Sequence, residues 1–203
     1  MSHTDKAPSN KNKGMAQQQT DFTSEGAPPP IPSLSLNMKA IEAATRDLEQ
    51  GSITPHYGSC RQDVIKLLND ALATELVCVL RYKRHHFTAD GLASAKIAQE
   101  FLVHANEEAV HADRLARRIV QLNGAPDFSP ESLTQRSHAP YDASLDLREM
   151  IRVNLMAERV AIEAYSQMID LIGNTDATTR RLLEDILREE QAHAEELKDW
   201  LVG

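Results

Sequence analysis

Two copies of one four-residue arrangement carry the chemistry in this chain: Glu108-Ala109-Val110-His111 and Glu190-Gln191-Ala192-His193. On a helix, positions i and i+3 share a face, so each glutamate points the same way as its histidine. Each copy is preceded by a glutamate in apolar surroundings, Glu75 in ALATELVCVL and Glu158 in NLMAERVAI. Each of these is followed seven residues later by a tyrosine, Tyr82 and Tyr165. Glu75 to Glu108 is 33 residues and Glu158 to Glu190 is 32, so the two halves of the chain repeat each other. One Glu-x-x-His alone means little. Two in register with two apolar-flanked Glu-x6-Tyr segments point to a shared task. A carboxylate facing an apolar core is costly unless it is paired or bound to metal. Four together could not all stay ionised without a compensating cation. Two divalent ions would offset the repulsion, and a carboxylate–imidazole set without thiolates suits iron or manganese.

Four long helices must position these residues. The first is expected from about Cys60 to Phe87, stopping near Asp90-Gly91, and the second from about Leu92 to Leu122, stopping at Asn123-Gly124. The third begins near Ser144 as N-cap and stops at Gly173-Asn174; the fourth begins after Thr175 or Asp176 and runs almost to the last residue. Each break carries residues that cap or stop a helix. The second and third helices are joined by about 20 residues rich in Pro and Ser, with a turn of helix expected at Pro130 to Leu133. Short links make the first and last pairs antiparallel, and the long link lets the third helix run parallel to the second. The expected fold is an all-α four-helix bundle with one long crossover, over residues 58–203. Residues 37–57 read as a short helix (37–50, ended by Gly51) and a connector, and 1–36, rich in Ser, Asn, Gln, Gly and Pro, as a disordered tail.

Composition narrows the function classes. Apolar residues are 41% of the 203 and aromatics only 4%, which favours a helical core over a β-sandwich. The formal net charge of −8 argues against a nucleic-acid binder and suits a protein that attracts cations. Lys6, Lys11 and Lys13 in the tail are balanced by Asp5, Asp21 and Glu25, so DNA binding is not expected. No apolar run is long enough to span a membrane. Cys60 and Cys78 form no CxxC pair, and on one helix they would lie about 27 Å apart, so a reducing cytoplasm is the simplest setting.

Several residues near the repeat read less sharply. Tyr82 and Tyr165 lie on the ligand-bearing faces and are expected to hydrogen-bond a carboxylate. Cys78, three residues after Glu75, reads as a small buried group close to the metals. His85 and His86 read as the exposed end of the first helix, Glu107 as a solvated charge beside His104, and His138 as a turn residue. Arg159 is expected to pair with an acidic neighbour.

The stretches LLNDALATEL, EEAVHADR and ILREEQAH resemble the ligand-bearing helices of the ferritin-like superfamily, in its bacterioferritin and Dps-like branch, over about residues 64–203. The resemblance implies a ferroxidase that oxidises Fe(II) with O2 or hydrogen peroxide and stores the iron as mineral in a hollow homo-oligomer. It implies that Glu75 and Glu158 are terminal ligands, that Glu108 and Glu190 bridge two irons per subunit, and that His111 and His193 each complete one iron's shell. Bacterioferritins carry a haem-ligating Met directly after the first Glu-x-x-His glutamate; Ala109 stands there, so no haem is expected. The chain ends ten residues after His193, without a fifth helix, as Dps-like proteins do; this favours a dodecamer over a 24-subunit cage. The alternatives are a di-metal oxidoreductase (a peroxidase, a manganese catalase or a hydroxylase) and a Dps-type DNA-binding stress protein.

Overall fold

Apolar residues recurring every three or four positions decide the architecture, because each such stripe must find another to cover it. On the helix Arg61–Thr88 the buried stripe includes Val64, Leu68, Leu72, Glu75, Cys78, Tyr82 and His85. On Leu147–Ile172 it includes Met150, Asn154, Glu158, Ala161, Tyr165, Met168 and Ile172. The computed structural model describes residues 34–90 and 94–202, and its regular structure there is helical. In chain order the helices are α1 (Met38–Ala43), α2 (Arg61–Thr88), α3 (Ser94–Gln121), α4 (Leu133–Arg136), α5 (Leu147–Ile172) and α6 (Ala177–Val202). The chain divides into Met1–Leu36 and Asn37–Gly203, and the second unit holds all of these helices. Most of the expected disordered tail lies outside the described residues.

The helices pair as two hairpins, α2 with α3 and α5 with α6, which meet along α2–α5 and α3–α6. This is the expected bundle with one crossover. Among the described residues its apolar core has two main parts and a small third of Ala73, Val77 and Leu133. One gathers Leu68, Leu72, Leu115, Ile119, Met168, Leu183 and Ile186; the other gathers Tyr82, Phe101, Met150, Ile151 and Leu197. The repeated glutamates and histidines occupy the sequence positions between these two groups on each helix, so a polar belt interrupts the core.

The crossover is tied to α2 by polar side chains. The Arg136 guanidinium donates to the Asn69 carbonyl at 2.8 Å, Arg81 to the Pro140 carbonyl at 3.1 Å, and the His138 amide to Thr74 Oγ1 at 2.9 Å. At its start a Cβ on Gly124 would lie 2.9 Å from Ile65 Cγ2, so any larger residue would force the Ile65 side chain to shift.

Several local expectations are corrected. The helix over 37–50 reaches only Ala43, followed by a 3-10 turn at Leu48–Gln50. It buries no residue, and propensity alone does not sustain a short helix in water. The connector carries a 3-10 turn at Pro55–Cys60. The cap of α5 is Asp146, whose carboxylate accepts from the Glu149 amide at 2.8 Å. Ser144 instead donates its amide to Asp142. The helical turn of the crossover falls at Leu133–Arg136, just past the expected position.

His85 is fully buried rather than exposed at a helix end. It receives a bond from Asn154 at 3.0 Å and faces Asp142 of the crossover at 3.4 Å. Burial first, and the neighbouring Arg81 cation second, lower its pKa to about 4. An unfolded chain would protonate it near 6.5, so the folded state loses stability as pH falls from about 6.5 to 4. We expect His85→Gln to flatten the fall in urea midpoint across that window, a slope that parallel unfolding series at several pH values would measure.

Candidate metal centre

Each of the four long helices contributes to one buried point. Glu75 comes from α2, Glu108 and His111 from α3, Glu158 from α5, and Glu190 and His193 from α6; the glutamates are 1% exposed and the histidines 0% and 6%. The six converge into two groups whose ligand atoms all lie within 4.8 Å of one another: Glu75, Glu108, His111 and Glu190, and Glu108, Glu158, Glu190 and His193. Glu108 and Glu190 belong to both, and each group adds one further glutamate and one histidine.

Both histidines turn Nδ1 inward. His111 Nδ1 lies 2.9 Å from Glu190, 3.2 Å from Glu108 and 3.6 Å from Glu75. His193 Nδ1 lies 3.5 Å from Glu108, 3.8 Å from Glu158 and 4.0 Å from Glu190. His111 is aligned as a hydrogen-bond partner with Glu108 Oε2, which leaves Glu190 Oε1 unpartnered despite its closeness. Among the described residues, six buried side-chain nitrogen or oxygen atoms lack a partner. Four of them are here: Glu108 Oε1, Glu158 Oε2, Glu190 Oε1 and His193 Nδ1. Unsatisfied buried donors and acceptors are costly, and their concentration at one point fits a site that cations complete.

The electrostatics show the same frustration. Burial, then the Glu108 charge, pushes the Glu75 carboxyl up to about 8. Burial and then the charges of Glu108, Glu75 and Glu158 push Glu190 well up. Burial also works against ionised Glu108, but His111 and His193 outweigh it and hold this carboxyl well below its usual range. Burial favours neutral imidazole at His193, yet Glu108 and Glu158 raise it to about 11, and His111 is raised likewise by its three carboxylates. Protons thus perform the charge balancing that divalent cations would perform on the same atoms.

The surrounding contacts are cross-linked between the halves. Tyr82 on α2 donates to Glu158 on α5, and Tyr165 on α5 donates to Glu75 on α2. The outer histidine nitrogens are also engaged across the α3–α6 seam: His111 Nε2 with Glu189 at 2.7 Å, and His193 Nε2 with Glu107 at 2.9 Å. A carboxylate on the outer nitrogen keeps the inner one free to act as a ligand. Glu107 is exposed, as its sequence setting suggests, and bonds His193 as well; Glu189, which the sequence does not single out, does the same for His111. The signal was present as the doublets Glu107-Glu108 and Glu189-Glu190, which place a second carboxylate beside each inward glutamate. Replacing Glu189 with Gln should weaken divalent-cation binding about 10- to 100-fold without unfolding the half-buried position; Co(II) titration by calorimetry measures this.

Cys78 is buried beside the centre and accepts from Arg81 at 3.3 Å. Burial holds its thiol well above the usual range, and the charges of Glu108, Glu158 and Glu75 act in the same direction, so the sulfur stays protonated. Arg159, expected in an ion pair, is exposed and forms none among the described residues.

A cleft of about 300 Å³ on the α3–α6 side reaches His193 of the centre and is lined otherwise by Val103, His104, Glu107, Glu189, Ala192 and Glu196. Its carboxylates and imidazoles suit a hydrated cation rather than an apolar substrate.

Residues 65–202 match the family model described as a ferritin-like domain. The bacterioferritin of Desulfovibrio desulfuricans is 33% identical over 134 residues, covering 64% of this chain and 69% of that protein. The bacterioferritin of Rhodobacter capsulatus is 26% identical, covering 66% of this chain and 80% of that protein. Among solved structures, the dodecameric thioferritin of Bacteroides fragilis, a bacterioferritin-related protein, superposes with a TM-score of 0.67 at 30% identity, covering 70% of this chain and 86% of that one. The Desulfovibrio desulfuricans bacterioferritin, whose structure describes a diiron site, gives 0.63 at 28%, covering 70% and 80%.

Proposed function

The chain belongs to the ferritin-like family, and from that premise we propose that it binds two Fe(II) ions per subunit, oxidises them with O2 or hydrogen peroxide, and stores the product as ferric mineral. The observation that carries this reading is the pair of overlapping donor groups sharing Glu108 and Glu190. Glu75 with His111 serves one iron, Glu158 with His193 the other, and the shared glutamates lie between. Three carboxylates and one imidazole per position fit iron, with manganese as the second choice. When bound, the metal pair supplies two electrons to the oxidant.

The chain's own groups set the conditions for that chemistry. Glu107, Glu189 and Glu196 draw hydrated cations to the cleft and His193 stands at its inner end. Glu107 and Glu189 keep the two inner imidazole nitrogens facing the centre. Tyr82 and Tyr165 each hold one oxygen of a terminal glutamate. The apolar cores on either side exclude bulk water, so the carboxylates act at full strength.

A hollow homo-oligomer completes the storage function, with the twelve-subunit form favoured because the Bacteroides fragilis relative at 30% identity is dodecameric. Haem is not part of this reading: the side chain after Glu108 is Ala109, which offers iron no donor atom. No helix among the described residues is long and apolar enough to cross a membrane, and the two free cysteines suit a reducing cytoplasm.

Anaerobic Fe(II) titration of the metal-free protein, followed by O2 or peroxide, tests the reading. We expect two Fe(II) per chain, rapid oxidation, and particles of shell size by light scattering. Uptake of fewer than two ions overturns the centre. A dimer that oxidises iron without retaining mineral replaces storage with a di-metal enzyme.

A further inference from the structure

The repeat that builds the centre is nearly two-fold, but its surroundings are not. On one side the Tyr82 hydroxyl, which donates to Glu158, also meets His104 Nδ1 at 3.2 Å. The other ring nitrogen of His104, Nε2, lies 3.2 Å from Glu196, a carboxylate 44% exposed in the cleft. The ring is itself held in place, stacked on His193 at 4.3 Å and on Trp200 at 6.2 Å between centroids, and is 1% exposed. Four groups therefore run in hydrogen-bond contact from a terminal glutamate to the surface: Glu158, Tyr82, His104, Glu196. On the other side Tyr165 has only Glu75 as its hydrogen-bond partner among the described residues. The position matching His104, four residues before the second inward glutamate, is Ile186, which is fully buried in the apolar core.

We propose that His104 is a positioning residue that, braced by Glu196, fixes the Tyr82 hydroxyl on Glu158 and so makes the two metal positions unequal, the Glu158–His193 position being the better ordered and tighter. The inference rests on the six-residue centre being the metal site. Its physical basis is that a ligand carboxylate held by an oriented outer hydrogen bond needs less ordering when it binds, and that losing such a partner typically weakens binding about 10- to 100-fold. Tyr165 orders Glu75 as well, but among the described residues no second hydrogen bond orders the Tyr165 hydroxyl in turn.

The test is Co(II) titration of the metal-free full-length protein, followed by its visible absorption, which reads the two binding steps separately. In the unsubstituted chain two Co(II) should bind in distinguishable steps. His104→Leu should weaken the tighter step about 10-fold and leave the other unchanged. His104→Asn, which keeps an amide where Nδ1 stood, should recover most of the loss. Tyr82→Phe should weaken the same step, and His104→Leu added to Tyr82→Phe should cost little more, the small remainder being what the stack of His104 on His193 contributes. The exposed substitution Glu196→Gln should shift that step too, and reports independently if His104→Leu folds poorly. Equal weakening of both steps, no weakening, or full additivity with Tyr82→Phe overturns the positioning role and leaves the metal centre standing. An unsubstituted chain that binds fewer than two Co(II) overturns the centre itself.

Discussion

Glu108→Ala should abolish fast Fe(II) oxidation, lowering the initial rate at least about 100-fold, equivalent to roughly 3 kcal/mol of barrier. Glu108 belongs to both donor groups, with His111 on one of its oxygens and His193 Nδ1 3.5 Å from the other. The two imidazoles keep its carboxyl ionised where burial would neutralise it, so it presents negative charge to both positions at once. On the proposed reading, removing it would strip a shared ligand from each ion, whereas His193→Ala would remove a ligand from only one. Stopped-flow absorbance of the ferric product under O2 measures the rate. Far-UV circular dichroism and particle size should be unchanged, since alanine suits a helix interior and the apolar cores on either side of the belt are untouched. Oxidation at the unsubstituted rate would mean that the buried cluster is not where iron reacts.

Asp176→Ala should be strongly destabilising, costing about 3–5 kcal/mol, because it leaves a buried guanidinium without its counter-charge. Arg118 Nη2 lies 2.9 Å from both oxygens of Asp176, and the two side chains are 5% and 2% exposed. Arg118 also donates to Thr179 at 2.7 Å and to the Tyr57 hydroxyl at 2.9 Å. Asp176 caps α6 as well, accepting from the Thr179 amide at 2.9 Å. One carboxylate thus ties the end of α3, the start of α6 and the turn before α2. Urea unfolding at fixed protein concentration measures the loss, with the concentration held because assembly contributes to stability. Arg118→Met added to Asp176→Ala should recover part of it by removing the stranded charge. The exposed pair Arg152–Glu149 supplies the contrast: breaking it should change stability by less than about 1 kcal/mol.

The long helices and their order were legible because each element announces itself locally. A period near 3.6 marks the stripe and Gly173, Asn123-Gly124 and Asp176 mark the ends, and these signals need no partner. The expectations that failed depended on what lies opposite. The short helix expected over 37–50 forms, but it buries no residue and ends at Ala43. His85 looked like an exposed terminal residue because nothing in the sequence says that Asn154 and Asp142 close over it. Ser144 and Asp146 are both acceptable caps, and the choice fell to the path of the crossover.

The same division runs through the site. Sequence by itself determined which six side chains could share a point, since helix geometry fixes i and i+3 on one face and the internal repeat supplies two such faces. It also determined that these residues would be inward, because Glu75 and Glu158 interrupt otherwise apolar stripes. Only the tertiary structure decided which outer carboxylate turns each histidine, and that among the described residues Tyr82 has His104 behind it while Tyr165 has no second hydrogen-bond partner. Glu107 with His193, Glu189 with His111, and Glu158 with Tyr82 are contacts between helices 76 to 86 residues apart in the chain. Their existence depends on the rotation and depth at which helices pack, which is set by the summed fit of all the apolar side chains and is written in no single segment.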